Sequence, residues 1–297
     1  MSSTVAEERA RNTAASLFLA DLPPETPVHR GYSKTWLMRN RPPQLSDSYF
    51  VVFTNVEKGI IDTDNLPGRL DYSVPLKTLI LKMPGLIHEE AAGRFDSMLG
   101  NAASEIGVWR LISFRGATRS ETPDRDKEAD RSWAPRYLRG QAARQWPSVA
   151  LEVGYSESTQ KLHRDIAYWI NYSNGQVKQA ITIDIKNSGA ITIASWVASY
   201  TPTTTVVTQS GRNSAPSADS RPPPIKTQEI KISRGRGNPT IQGGDFVIPH
   251  SSLFGLASEI EPRDFIFTAE MLLQDFAEFV WEAIDAIEVE KRGRRGV

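Results

Sequence analysis

The sequence predicts a mixed α/β domain over residues 48–285, chiefly because residues 86–185 read helix, three strands, helix, strand. Apolar runs of strand length, closed by turn residues, alternate with segments whose apolar residues recur at helical spacing. The 297 residues, 39% of them apolar, are enough to enclose one large core with some unpacked chain around it.

Residues 1–47 read as a flexible, proline-rich polar arm, with Pro23-Pro24, Pro27 and Pro42-Pro43 and no sustained period. Two strand-length runs follow, Tyr49-Phe50-Val51-Val52-Phe53 and Leu76 to Leu81, the second stopped by Met83-Pro84-Gly85. Ile87, Ala91, Phe95 and Met98, widened by Ala92 and Leu99, mark a helix. Strands are read at 108–114, around Asp130 to Trp133, and at 149–153, with the charged stretch from Thr122 to Lys127 as a turn. Leu162, Ile166, Trp169 and Ile170 give a second amphipathic helix, and Asn174-Gly175 supplies its left-handed cap.

The runs 177–185 and 191–207 alternate and are rich in β-branched residues, which suits a hairpin around Asn187-Ser188-Gly189. Residues 208–224, ending in Pro222-Pro223-Pro224, read as a disordered loop within the domain, since strand-like runs follow at 225–232 and 246–248. Thr268 is the N-cap of a last helix burying Leu272, Phe276, Phe279, Val280 and Ala283, with Glu270 well placed in its first turn. Residues 286–297 form a basic tail containing Lys291-Arg292-Gly293-Arg294-Arg295, read as solvated chain in preference to a nuclear address.

Composition narrows the chemistry. Lys plus Arg number 35 and Asp plus Glu 35, so no overall field attracts a polyanion, and nucleic acid must be met by local basic patches. Without cysteine there is no disulfide, thiolate zinc site or Cys nucleophile. His29, His88, His163 and His250 are scattered, so a metal would be held by carboxylates and be hard, like magnesium. No stretch approaches the roughly 18 apolar residues of a spanning helix. Leu17-Phe18-Leu19-Ala20 is too short for a signal-peptide core, so an intracellular location, cytoplasmic or nuclear, is expected.

The segment with chemical promise is Trp146-Pro147-Ser148-Val149-Ala150-Leu151-Glu152-Val153-Gly154-Tyr155-Ser156. Strand alternation puts Val149, Leu151 and Val153 on one face and Ala150, Glu152 and Gly154 on the other. A glutamate between two very small side chains has space above it for an ion or phosphate; the competing reading is an edge-strand glutamate facing water. Upstream, Asp130 can lie beside Glu152 if the two strands pair. Adjacent like charges repel, and a bound Mg²⁺ would turn that repulsion into chelation. Alternatively Asp130 is a turn residue in a charged loop. Residues 131–151 hold no Asp or Glu but Arg131, Arg136, Arg139 and Arg144, interleaved with Trp133, Tyr137 and Trp146. Arginine forks match phosphate oxygens, although such a loop can also be a solvated surface.

These residues carry a resemblance. Pro84 with His88-Glu89, Lys127-Glu128-Ala129-Asp130-Arg131-Ser132-Trp133, Trp146-Pro147 with Leu151-Glu152-Val153, and Ser156-Glu157-Ser158 are its first pieces. Leu162-x-x-Asp165-x-x-x-Trp169, Val177-Lys178 and Phe265-x-Phe267-Thr268 complete it. The pattern, spread over residues 76–285, resembles a widespread group of fungal proteins with a restriction-endonuclease-like core of the PD-(D/E)XK superfamily, related to bacterial Uma-type endonucleases.

The resemblance implies an α-β-β-β-α-β core and a Mg²⁺- or Mn²⁺-dependent nuclease acting on nucleic acid, DNA in the first place. It makes Asp130 and Glu152 the metal-binding acids, with Glu89 as a possible third. Two positions depart from the pattern. Ala129 stands where the family has proline, and Gly154 stands where it has lysine. Lys161, one turn before Asp165, is the first candidate to replace that lysine, and Lys178 the second; the plain alternative for Lys161 is an i,i+4 ion pair with Asp165. Arg131, Arg136, Arg139 and Arg144 would hold the nucleic-acid backbone. The alternative function is a catalytically degenerate nuclease-fold module that binds nucleic acid or a protein partner. The oligomeric state, a homodimer included, is left open.

Overall fold

The computed structural model describes residues 12–40, 49–61, 66–136, 145–155, 158–200, 221–235, 237–256 and 260–295. A helix over residues 12–19 leads into β1 (Val28–Arg30), α1 (Lys34–Arg39), β2 (Tyr49–Thr54), β3 (Arg69–Ser73), β4 (Thr78–Met83) and α2 (Leu86–Glu105). There follow β5 (Ile112–Phe114), β6 (Arg119–Glu121), β7 (Arg125–Glu128), β8 (Arg131–Pro135), β9 (Val149–Tyr155), α3 (Thr159–Tyr172), β10 (Gln179–Ile185) and β11 (Ile191–Val197). The chain closes with β12 (Ile225–Ser233), β13 (Thr240–Gln242), β14 (Phe246–Ile248), α4 (His250–Phe254), β15 (Phe265–Phe267) and, beyond a π-helical turn at Leu272–Ala277, α5 (Glu278–Arg295).

Two large sheets form the frame. The core sheet has the order β13-β12-β11-β10-β9-β8-β5 and the N-terminal sheet the order β1-β2-β4-β3-β7-β6. In the core sheet β9 and β10 are parallel and the other pairs antiparallel. The helix–strand–strand–strand–helix–strand order is realised by α2, β5, β8, β9, α3 and β10, so the fold is mixed α/β with a C-terminal helix.

Alternation along β9 divides the interior. Val149, Leu151 and Val153 join the main core beneath α2 and α5, with Phe95, Trp133, Phe276, Val280 and Ile284. Ala150, on the opposite face, packs with Ile166, Trp169 and Ile170 of α3. Both faces are covered, so Glu152 is neither on an edge nor in water.

The N-terminal sheet is two-faced in a different way. Leu70 and Tyr72 of β3 and Leu79, Leu81 and Met83 of β4 enter an apolar cluster with Leu37, Val51 and Phe53. The register Asp71↔Ile80, Asp71↔Lys127 and Arg69↔Lys82 places Arg69, Asp71, Lys82 and Lys127 together on the other face. The outer part of that face is apolar, where Phe50, Val52 and Ile80 meet Phe18, Leu19 and Leu22.

After β5 the chain leaves the core sheet, forms β6 and β7 in the N-terminal sheet, and returns at β8 through Ala129 and Asp130. The charged turn expected from Thr122 to Lys127 is therefore half strand. Its residues Arg125–Lys127 pair with β3, a strand the sequence reading passed over. At 108–114 only Ile112–Phe114 is extended, because Trp109–Leu111 makes a 3₁₀ turn first.

The loose-arm expectation fails for residues 12–39, which carry a helix, β1 and α1. Ser33 caps α1 by accepting from the Trp36 amide, and β1 pairs in parallel with β2. The basic tail is helical as far as Arg295. Most of the loop expected at 208–224 lies outside the described residues, as do Arg139 and Arg144. Thr268 caps the last helical run by accepting from the Met271 amide, and Asn174 and Gly175 have φ of 51° and 79°, as left-handed caps require. Among the described residues no helix is long and apolar enough to cross a membrane.

Candidate active site

Asp130 and Glu152 meet where the chain crosses between the sheets. The register Arg131↔Leu151 puts Asp130 next in line opposite Glu152, and the Asp130 amide donates to the Leu151 carbonyl at 3.1 Å. Asp130 Oδ2 accepts from the Val153 amide at 2.8 Å. Both acids are buried and line one cavity of about 10 Å³, room for roughly one water. Its other polar walls are Arg69, Asp71, Lys82, Lys127, Glu128, Lys161 and Asp165, and of these only Arg69 and Glu128 are partly exposed.

Each acid has its own cations. Asp130 Oδ2 lies 2.9 Å from His88 Nε2 and 3.3 Å from Lys82 Nζ, while Arg69 Nε is 4.0 Å from Oδ1. Burial works against ionisation of Asp130, but His88, Lys82 and Arg69 outweigh it and hold the carboxyl well below the usual carboxylate range. Asp130 Oδ1 is buried and has no hydrogen-bond partner.

Glu152 Oε1 accepts from the Trp169 indole N–H at 2.5 Å and lies 3.5 Å from Lys127 Nζ. Here burial prevails: although Lys127 favours the carboxylate, desolvation, together with Asp130 and Asp165, pushes the Glu152 carboxyl up to about 8.

Helix α3 contributes one stripe to this wall. Lys161, Asp165 and Trp169 recur at i,i+4 and so point the same way. Lys161 Nζ grips both oxygens of Asp165, at 2.7 and 2.6 Å, and Lys127 Nζ lies 3.1 Å from Asp165 and 3.6 Å from Asp71. Arg125 forks onto Asp71 at 2.7 and 2.6 Å and stacks on Tyr168. Burial disfavours the charge on Lys127, yet Asp165, Glu152 and Asp71 together raise its pKa well above the ordinary lysine value.

The structure therefore brings Asp130, Glu152 and Lys161 to one cavity and leaves other candidates outside it. Glu89 bridges Arg69 Nη2 at 2.7 Å and Arg131 Nη2 at 3.2 Å, with its side chain 40% exposed, and does not join the two acids. Lys178 is exposed and does not line the cavity. Arg136 is exposed at the end of β8, and Arg131 is tied to Glu89 and its neighbour's carbonyl.

Lys127 and Lys82, which sequence reasoning missed, are the lysines closest to the acids. The alternation Arg69-Leu70-Asp71-Tyr72-Ser73, in the strand between the two that carry them, is the signal that could have found the polar face they share, although its charged residues are poor strand formers.

Magnesium and manganese take hard oxygen donors, commonly one or two carboxylates plus water and phosphate. The pair Asp130 and Glu152 fits that demand, and the orphaned Asp130 Oδ1 is a donor of the right kind. Among the described residues no set of three His, Asp or Glu converges as a metal cluster.

The sequence matches no protein-family model, and it matches none of the curated proteins. One similar solved structure is the crystal structure of a "putative nuclease belonging to DUF820" from Anabaena variabilis, 14% identical, with a TM-score of 0.31, covering 45% of this chain and 72% of that one.

Proposed function

We propose that the chain is a metal-dependent nuclease whose centre is the Asp130–Glu152 pair. The convergence of these acids from neighbouring strands onto one cavity, with lysine ammonium groups beside them, is the observation that carries this reading. A divalent ion held by Asp130 and Glu152 would supply an acidified water and take up charge on the phosphate. Lys127, 3.5 Å from Glu152, takes the part of the lysine missing at Gly154 and offsets charge developing on the substrate. Trp169 and the Val153 amide fix the two carboxylates in place. Arg69, partly exposed at the outer end of the cavity, is placed to meet a phosphate first. The substrate class is nucleic acid. Arg136 and Arg110 lie exposed beside Trp109, an arginine–aromatic patch suited to a backbone and a stacked base.

The test is cleavage of plasmid and single-stranded DNA with Mg²⁺ or Mn²⁺, abolished by chelator and by Glu152→Gln. A wild-type protein that neither cleaves nor takes up metal refutes the proposal. A second reading, the degenerate module, is favoured by the internal cations around Asp130 and by the small cavity. It expects DNA binding that weakens with salt and is indifferent to chelator and to Glu152→Ala.

A further inference from the structure

The cation position beside Asp130 is already taken by an ammonium from the chain itself. Lys82 projects from β4, a strand with both faces buried, and is itself 8% exposed. Its Nζ donates to the Val153 main-chain carbonyl at 2.6 Å and sits 3.3 Å from Asp130 Oδ2. A carboxylate oxygen and a backbone carbonyl oxygen, both turned toward one compact positive charge, are the donors a hard divalent ion seeks. The backbone at Lys82 is closely packed: a Cβ at Gly68, just before β3, would lie 2.2 Å from the Lys82 carbonyl oxygen. The side chain, in contrast, is a four-carbon stem with freely turning bonds, able to withdraw while the strand stays put.

Resting on the assignment of Asp130 and Glu152 as the metal pair, we propose that Lys82 is the resident occupant of the cation site, and that a divalent ion loads only by displacing its ammonium. The ammonium and a divalent ion would compete for the same two oxygens, Asp130 Oδ2 and the Val153 carbonyl, so occupation is exclusive. With the Lys82 ammonium withdrawn or replaced, His88 and Arg69 still face Asp130.

The experiment compares the full-length wild type with Lys82→Met, Lys82→Gln and Lys82→Arg by calorimetric titration of Mn²⁺. Met and Gln variants are expected to bind about tenfold tighter or better, and Arg no tighter than wild type. In the wild type, saturating Mg²⁺ should raise the acetylation of Lys82 read by peptide mass spectrometry, a measurement that needs no variant to fold. Equal affinities across the series, or unchanged Lys82 labelling in a protein that binds the ion, overturns the proposal. If that happens while the wild type cleaves DNA and Asp130→Asn does not, the nuclease assignment stands and only the role of Lys82 falls. If no protein in the series binds Mn²⁺ or cleaves, both fall together.

Discussion

Glu152 and Asp130 stand side by side yet respond to burial in opposite ways. Asp130 faces His88, Lys82 and Arg69 and stays ionised, whereas Glu152, with Lys127 shared among three acids, is held near 8. The folded chain thus keeps a proton on Glu152 that the unfolded chain, with a carboxyl near 4.5, releases. Between about pH 4.5 and 8 stability falls as pH rises, by at most about 1.4 kcal/mol per unit for this one group. Glu152→Gln should flatten that slope and make the protein more stable than wild type at pH 9, as urea titrations across the range would show. Asp130 and Asp165 act in the other sense. Burial opposes their charge, but their cations hold both carboxyls low, so the stability they contribute is present above about pH 4 and lost as pH falls further. Acid unfolding that is no steeper in wild type than in Asp165→Asn would contradict this.

The strands and helices divide into those whose pattern is plain and those built around charge. α2, β9, α3 and the β10–β11 hairpin are legible because apolar period and turn residues agree; Glu152 was placed by strand alternation, and Asp130 beside it by the expected pairing of two strands and by the resemblance. β3 and β7 were not, since Arg69, Asp71, Arg125 and Lys127 are poor strand formers whose place is decided by partners distant in sequence. Lys127 was invisible as a site residue for the same reason: read as a turn, it had no face. The tight meeting of Gly68 with β4 belongs here as well. Gly68→Ala puts a methyl against the Lys82 carbonyl, and we expect a loss of about 1–3 kcal/mol by chemical denaturation. A neutral outcome would mean that β4 can shift, and with it the ammonium it carries.

Taken as a body, the described residues form two large sheets closed over an ionic interior, with residues 18–22 serving as part of the wall. Phe18, Leu19 and Leu22 cover Phe50, Val52 and Ile80, and Asp21 pairs with Arg164 of α3 at 2.9 Å. A chain begun at Pro23 should lose about 2–4 kcal/mol and several degrees of Tm, measurable by calorimetry. Prolines at 23, 24 and 27 suggested a loose arm because they interrupt every period, yet they only mark the bends between ordered pieces.

The excursion of β6 and β7 has a mechanical consequence. Because one continuous thread is stitched through both sheets and back, neither half can melt by itself without dragging strands out of the other. Trp36, under the first sheet, and far-ultraviolet circular dichroism, dominated by the rest, should accordingly trace superimposable denaturation curves. Two separated midpoints would show that the stitch gives way.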